Sequence, residues 1–521
     1  MSKPRRVPPI VYILLVLGLG FGGYRYWISQ PQNPLVSKFQ WLPQAVPGQT
    51  GDLKLLGDTF SGYSTFRNPE FLASLEALDL TLQYEDEFDQ AKRAERLNQG
   101  EADLLVTSLD QFLQQQPEGR IIALIDRTVG ADAVVLNTPK YPGLTSLLVL
   151  NKLVATQQAQ GNQLIATFAG DTPSEYLALV LDTKFEAFNL GDFEVVKVGD
   201  ASESWAMLQD RAQSVALAVI WEPFVTQARQ QGYTVVLSSR DTPGTIVDVL
   251  VASERLIASQ PDQLTDLVEA YYRRIDANVR DASQLQTQIA EDGGLSAADA
   301  AAVLEGIEFF TAVEAQQWFT DGTLDRRIQA TAAVLALAGR LSEVPEATEN
   351  LFTSDFIAEA ARNNLALIEL VRADNPELAD RLAGRTRAIT PTLTATEIQT
   401  APDIGNLQVR GEVNFATGSA QLSEESQATL NQLTREINEF SPQTVAVRII
   451  GHTSRTGAAD LNQTLSLQRA QVVVDYLKAQ GLSHNFLAVG KGFSEPLENI
   501  DPTDPRNQRT EIRLVRVNTP S

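Results

Sequence analysis

Between Leu53 and Asp126, short apolar runs (LKLLG, LTLQY, DLLV, RIIALID) alternate with stretches whose apolar residues recur at helical spacing: Pro69 to Leu78, Phe88 to Leu97 and Leu109 to Gln115. Apolar runs this short, bounded by helical patterns, predict buried strands joined by helices, as in parallel β/α/β units. A second set follows: DAVVL, QLIATFA before Pro173 to Leu181, FEVVKV before Ser202 to Arg211, VALAVIW before Glu222 to Gln231, and TVVLSS. IVDVLVA then leads into a mostly helical tail, about Glu254 to Arg387, in which Ser296 and Asp299 have capping-box spacing. Two α/β lobes are expected, the first completed by chain returning from the second and wrapped by the tail helices. Ile389 to Ala401 is Thr-rich without a period and reads as a linker. Beyond it, Val445, Val447 and Ile449 alternate into Gly451, which predicts a half-buried strand. Ala470, Val473, Val474 and Leu477 predict an amphipathic helix. Ser466 is its expected N-cap and Gly481 its stop, which places Arg469 in the first turn, at an end that attracts anions.

The N-terminus changes the picture from a soluble body to a tethered one. Val7 to Tyr24 carries no charge, Lys3, Arg5 and Arg6 precede it, and Arg25 follows. A run of this length just spans a bilayer core, and basic residues ahead of it hold the N-terminus in the cytoplasm. A cleaved signal peptide is the rival reading, but an Ala-x-Ala-like site is lacking, so an uncleaved anchor is favoured. Ser29 to Gly51, rich in Pro and Gln, reads as a spacer. The expected organisation is 1–28 anchor, 29–51 linker, 52–387 two-lobed domain with helical tail, 388–404 linker and 405–521 C-terminal domain.

Charge and composition exclude more than they assign. The net charge of −23 lies mainly in the middle of the chain, which argues against nucleic acid as a partner. With two His and no Cys there is neither a disulfide framework nor a lipid-bearing Cys, and zinc sites or Cys/His nucleophile pairs are not expected. No phosphate-cradling loop or nucleophile elbow occurs. An enzyme is not expected, nor is a cofactor.

The C-terminal region resembles the OmpA-like peptidoglycan-binding domain from about Gly411 to Val517. The matching residues are VNFATGSAQLS, GHT at 451–453, Gly457, Asn462, Leu465 and Ser466, Arg469 and Ala470, Tyr476 and Leu477, the Gly490 to Pro496 turn, Asn507, Arg509 and TEIRLVRV. The resemblance implies that Arg469 holds a carboxylate of the diaminopimelate in the peptide stem. An Asp directly after GHT would hold its ammonium, but here Ser454 stands there and offers only a neutral hydrogen bond. Thr453, Ser454, Asn462, Ser466, Arg469 and Arg509 are the candidate peptidoglycan-binding residues, and a fold kept for packing or dimerisation is the alternative.

The middle of the chain resembles the type II periplasmic solute-binding proteins, in the branch that includes nitrate, sulfonate and thiamine-precursor binders. GDTFSGYSTF, GEADLLVTSLDQF, LIDRTVGADAVVL, FAGDTPSEYLA, VIWEPF and VDVLVAS carry the resemblance. It implies a cleft between lobes, lined at strand ends and helix N-termini. On this chain those positions hold Asp58, Phe60, Ser61, Tyr63, Thr107, Ser108, Asp126, Thr128, Asp171, Thr172, Trp221 and Glu222. Each has an ordinary duty available: Ser108 and Thr172 as N-caps, Trp221 as core.

The fold class expected is thus α/β: a two-lobed type II periplasmic-binding-protein fold plus a small α+β OmpA-like domain, with one N-terminal transmembrane helix. The function expected is a solute-binding protein, single-pass in the plasma (inner) membrane through residues 7–24, with its bulk in the periplasm. Peptidoglycan, a small-molecule solute and an ABC permease are its expected partners. The alternative is a structural envelope or wall-anchoring protein whose solute-binding fold is an interaction module.

Overall fold

The chain passes twice between two sheets, and the direction of the strands follows from that path. The structure, a computed structural model, describes residues 51–385, 390–410, 413, 415 and 418–517. The expected membrane helix, Val7 to Tyr24, and all but the last residue of the spacer lie outside the described residues. Among those residues no helix is long and apolar enough to cross a membrane.

The strands are β1 Asp52–Gly57, β2 Thr81–Asp86, β3 Leu104–Ser108, β4 Gly119–Thr128, β5 Asp132–Leu136, β6 Ile165–Ala169, β7 Glu194–Val198, β8 Val215–Trp221, β9 Thr234–Ser238, β10 Val247–Ser253 and β11 Ile307–Phe309. The first lobe is a sheet in the order β11-β4-β10-β3-β1-β2, the second one in the order β7-β6-β8-β5-β9. The sheets are mixed, not parallel as expected. β10 runs antiparallel to both neighbours, and so does β5. The reason is geometric: chain leaving a lobe at the C-terminal end of a strand enters the other lobe at its facing edge, and must run away from it. β10 returns to complete the first sheet. The tail adds β11, which was not expected because three residues leave no period to read.

The tail is otherwise helical and packs on the first lobe, where Phe66 stacks on Tyr271 with ring centroids 4.9 Å apart. Ser296 accepts the Asp299 N–H, so it caps its helix as expected. The second lobe's helix Pro173–Lys184 buries Tyr176, Leu179 and Val180 in the first lobe's core, so the lobes meet over apolar as well as polar surface.

The C-terminal domain is the sheet β12 (Asp403–Asn406), β15 (Thr510–Arg516), β13 (Val445–Gly451) and β14 (Phe486–Gly490), in that order. Helices Glu424–Ile437 and Ala459–Ala479 cover one face. Of the expected opening segment, residues 411, 412, 414, 416 and 417 lie outside the described residues, and Phe415 bridges Leu422.

Three expectations here are corrected. β13 is buried on both faces, not one. The second cover is the supposed linker: Thr394 and Glu397 form a reciprocal capping box that starts the helix Ala395–Thr400, and Ile398 of that helix packs on Ala446 and Val515. Arg448, on the covered face, donates to the carbonyls of Ile398 and Ala401 and pairs with Asp403 at 2.8 Å. Ser466 is not an N-cap either. The helix starts at Ala459, about two turns earlier, so Arg469 is inside the helix and away from its N-terminus. The Ser466 hydroxyl donates to the Gln463 carbonyl and accepts the Gly492 N–H, both at 2.9 Å. That contact needs close approach of backbone: a Cβ at Gly451 would sit 2.2 Å from the Ser466 carbonyl oxygen.

The C-terminal domain does not hang on a tether. Leu53–Ser521 form one compact unit, and the second lobe shares a hydrophobic core with the C-terminal sheet. Phe185 pairs with Leu407 as an isolated bridge, and its ring meets Phe440 edge to face at 6.0 Å. Lys184 pairs with Glu439 at 3.0 Å, and Arg516 binds Asp241.

Candidate functional sites

The two crossings bring the ends of β3, β4, β5 and β10 together. Ser108, Asp248 and Asp126 stand directly opposite one another across three adjacent strands, so their side chains leave one face of the sheet. The 3-10 helix Ser61–Arg67 roofs them: the Tyr63 hydroxyl donates to Asp248 at 2.5 Å, and a Cβ on Gly62 would lie 2.1 Å from an Asp126 oxygen. Across the crossing, Asp132 is opposite Trp221. The hydroxyls of Thr128 and Ser174 lie beside Asp132 and that of Ser108 beside Asp110, without completing hydrogen bonds.

Four carboxyls are therefore buried at one junction: Asp110, Asp126, Asp132 and Asp248. Burial pushes Asp110 up to about 6 and Asp132 up to about 7. It pushes Asp126 and Asp248 up as well, and the negative charges around each, including Asp248 beside Asp126, push the same way. Among the described residues neither oxygen of Asp126 finds a hydrogen-bond partner.

The remaining candidates divide by what holds them. Asp58 caps its own turn through the Phe60 N–H and pairs with the buried Arg93 at 2.9 Å. Phe60 packs edge to face on Tyr63, and Ser61 is half-buried beside it. Thr107 donates to Gln90 at 3.0 Å. Asp171, at φ 53°, gives its N–H to Glu175, and the Thr172 hydroxyl donates to the Ala169 carbonyl. Glu222 accepts from the N–H and the hydroxyl of Thr226 and so starts the helix Phe224–Gln230. The structure thus gathers Tyr63, Ser108, Asp126 and Thr128, with Trp221 at the rim, and leaves Asp58, Thr107, Asp171, Thr172 and Glu222 engaged in local structure. Asp110, Asp132 and Asp248 are not among the sequence candidates; for the last two, an acid inside or heading the apolar runs DAVVL and IVDVLVA is the signal.

The second site lies at the end of β13. The Arg469 guanidinium, 2% exposed, donates to the Ser419 carbonyl at 3.0 Å and to Gln508 at 3.3 Å, and lies over the Phe415 ring at 5.1 Å. Ser454 is buried with its hydroxyl 3.1 Å from that of Thr456, and the buried Thr453 hydroxyl has no partner among the described residues. Asn462 donates to the carbonyls of Thr456 and Ala458, which fixes the loop ahead of the helix. Arg509 pairs with Glu511 at 2.7 Å. Burial pushes the Glu511 carboxyl up, but His452 and the Arg509 guanidinium more than offset that and hold it at about 2. His452 Nε2 is 3.2 Å from Glu511, off the line of a hydrogen bond. Residues 508 and 419, which meet Arg469, were not legible as site residues.

Residues 414–511 match the OmpA family. Within this OmpA domain the chain is 38% identical over 90 residues to Outer membrane protein A of Shimwellia blattae, covering 17% of this chain and 37% of that protein. For Shigella flexneri the values are 36% over 104 residues, 20% and 29%. The chain spans about a third of the length of these curated relatives. Solved structures similar to the chain include the periplasmic aliphatic sulphonate binding protein of Escherichia coli, 14% identical with a TM-score of 0.46, covering 59% of this chain and 93% of that one. Another is the periplasmic nitrate-binding protein of Synechocystis PCC 6803, 12% identical with a TM-score of 0.42, covering 60% and 89%.

Proposed function

We propose that this chain is a periplasmic solute-binding protein fixed to peptidoglycan by its OmpA domain and to the inner membrane by residues 7–24. The observation that carries the reading is the junction itself: two lobes joined by two crossings that converge on buried, unsatisfied polar groups, on the same body as an OmpA domain. Buried polar groups cost free energy unless a partner satisfies them, and closing lobes on a solute supplies one. It is a binding protein rather than an enzyme. Held at wall and membrane, it presents or senses its solute locally, and an ABC permease is the partner that the fold implies if it transports.

One observation favours the structural alternative: Tyr176, Leu179 and Val180 of the second lobe are buried in the first lobe's core, an apolar contact of the kind that holds two lobes in one arrangement. Thermal melting of the full-length protein against nitrate, sulfonates, phosphate, pyrimidines, amino acids and amines separates the two. A solute at 100 times its dissociation constant adds about 2.7 kcal/mol. Melting points unmoved across every class select the structural reading. The anchor has its own check, since N-terminal sequencing of the mature protein should find residue 1 or 2, and a start near residue 25 would replace the anchor with a signal peptide.

A further inference from the structure

The acids at the junction carry a charge problem that the protein does not solve internally. Among the described residues no cation acts on Asp126: burial and the charges of Asp248 and Asp132 all push its carboxyl up. Of the nearby basic residues, Arg93 is committed to Asp58, Arg127 to Glu308 and Glu314, and Arg340 and Lys197 to Glu175, while Arg240, exposed beside Gly130, is not among the charges that act on Asp126. An unpaired buried carboxylate costs several kcal/mol, so either protons or an incoming cation must complete the site.

A cluster of acids would not by itself make a site, but a separate observation does. Among the described residues Asp126 is 0% exposed with both oxygens unpartnered, and at the same junction the buried hydroxyls of Thr128 and Ser174 beside Asp132 and of Ser108 beside Asp110 complete no hydrogen bond. The ionised Asp126 oxygens are acceptors that lack donors, and each hydroxyl, donor though it also is, keeps lone pairs that can accept an N–H. The second lobe's nearest helix N-terminus, which would hold an anion, is closed by the protein's own carboxylate: Glu175 accepts the Asp171 N–H there at 2.9 Å. Among the described residues no three His, Cys, Asp or Glu are placed to hold a metal ion.

We infer that the solute is a small organic cation, a protonated amine or amidine, whose N–H groups are accepted by Asp126 and Asp132 and by the hydroxyls of Thr128 and Ser174. The inference rests on the solute-binding reading above and narrows it to one ligand class. A charged donor between carboxylates makes shorter and stronger hydrogen bonds than a neutral one, and lobe closure removes the water that would compete.

The test uses full-length protein in detergent, melted and titrated calorimetrically with ethanolamine, putrescine and acetamidine as chlorides. Potassium chloride at matched ionic strength is the control, and sodium nitrate and ethanesulfonate are the anionic comparison. At least one organic cation should raise the melting point saturably, and Asp126→Asn should weaken its binding at least tenfold while the unliganded variant melts no lower than wild type. Asp132→Asn should do the same, which covers the case in which one variant fails to fold. An effect equalled by potassium chloride, or retained in both folded variants, overturns the assignment. Saturable binding of an anion alone overturns it and leaves the solute-binding reading standing, whereas silence from cations and anions alike removes the cation assignment and weighs against both.

Discussion

At the scale of single residues, the junction makes stability depend on pH. Asp132 has a folded-state value of about 7, against about 3.9 for an unperturbed Asp. The folded protein therefore holds a proton that the unfolded chain releases between about pH 4 and 7, and stability falls as pH rises through that window. A shift of this size corresponds to at most about 4 kcal/mol. Urea unfolding at pH 4.5 and 7.5 should show Asp132→Asn gaining on wild type at the higher pH. A gap that stays constant would mean that Asp132 does not titrate in this range.

Ser454 supplies the second residue-scale expectation. Its hydroxyl is buried beside that of Thr456 and gives a stem ammonium no charge. Ser454→Asp should tighten sacculus binding by about 1.5 kcal/mol, because a hydrogen bond to a charged group is worth more than a neutral one. The same variant should melt lower when free, since the new carboxylate is buried unpaired until the ligand arrives. Equal sacculus retention of variant and wild type would show that residue 454 does not face the ammonium.

Elements were legible where burial leaves a mark on sequence. The runs IIALI and VALAVIW are apolar throughout because their strands are covered on both faces, so length and flanking helices identify them without alternation. The helix around Arg469 was legible as a helix but not in its start. Ser466 has the chemistry of a cap, yet its hydroxyl serves Gly492, while the residue that does precede the helix, Ala458, offers no side-chain cap. The supposed linker hid a helix because Ile398 is its only buried side chain, too few for a period. The acids of the junction were partly legible. Asp126 stood at a strand end, but Asp248 and Asp132 come together only through crossings that join residues more than a hundred positions apart.

For the whole molecule, the fused core matters more than either site. Phe440, 1% exposed, sits where the OmpA domain meets the second lobe. Under the proposed function, wall attachment would hold the second lobe, and opening of the cleft would move the first lobe against it. Phe440→Ala should cost about 3–5 kcal/mol and split one calorimetric transition into two. A single transition, merely lowered, would mean that the domains are coupled by other contacts.

The central claim is that this solute-binding body is held on peptidoglycan through Arg469, and co-sedimentation of the full-length protein with purified sacculi tests it most directly. Wild type should pellet with sacculi and be displaced by free diaminopimelate, and Arg469→Ala should bind at least about tenfold more weakly, the loss expected of a desolvated charge-assisted contact. Retention of Arg469→Ala equal to wild type, with neither displaced by diaminopimelate, would contradict it.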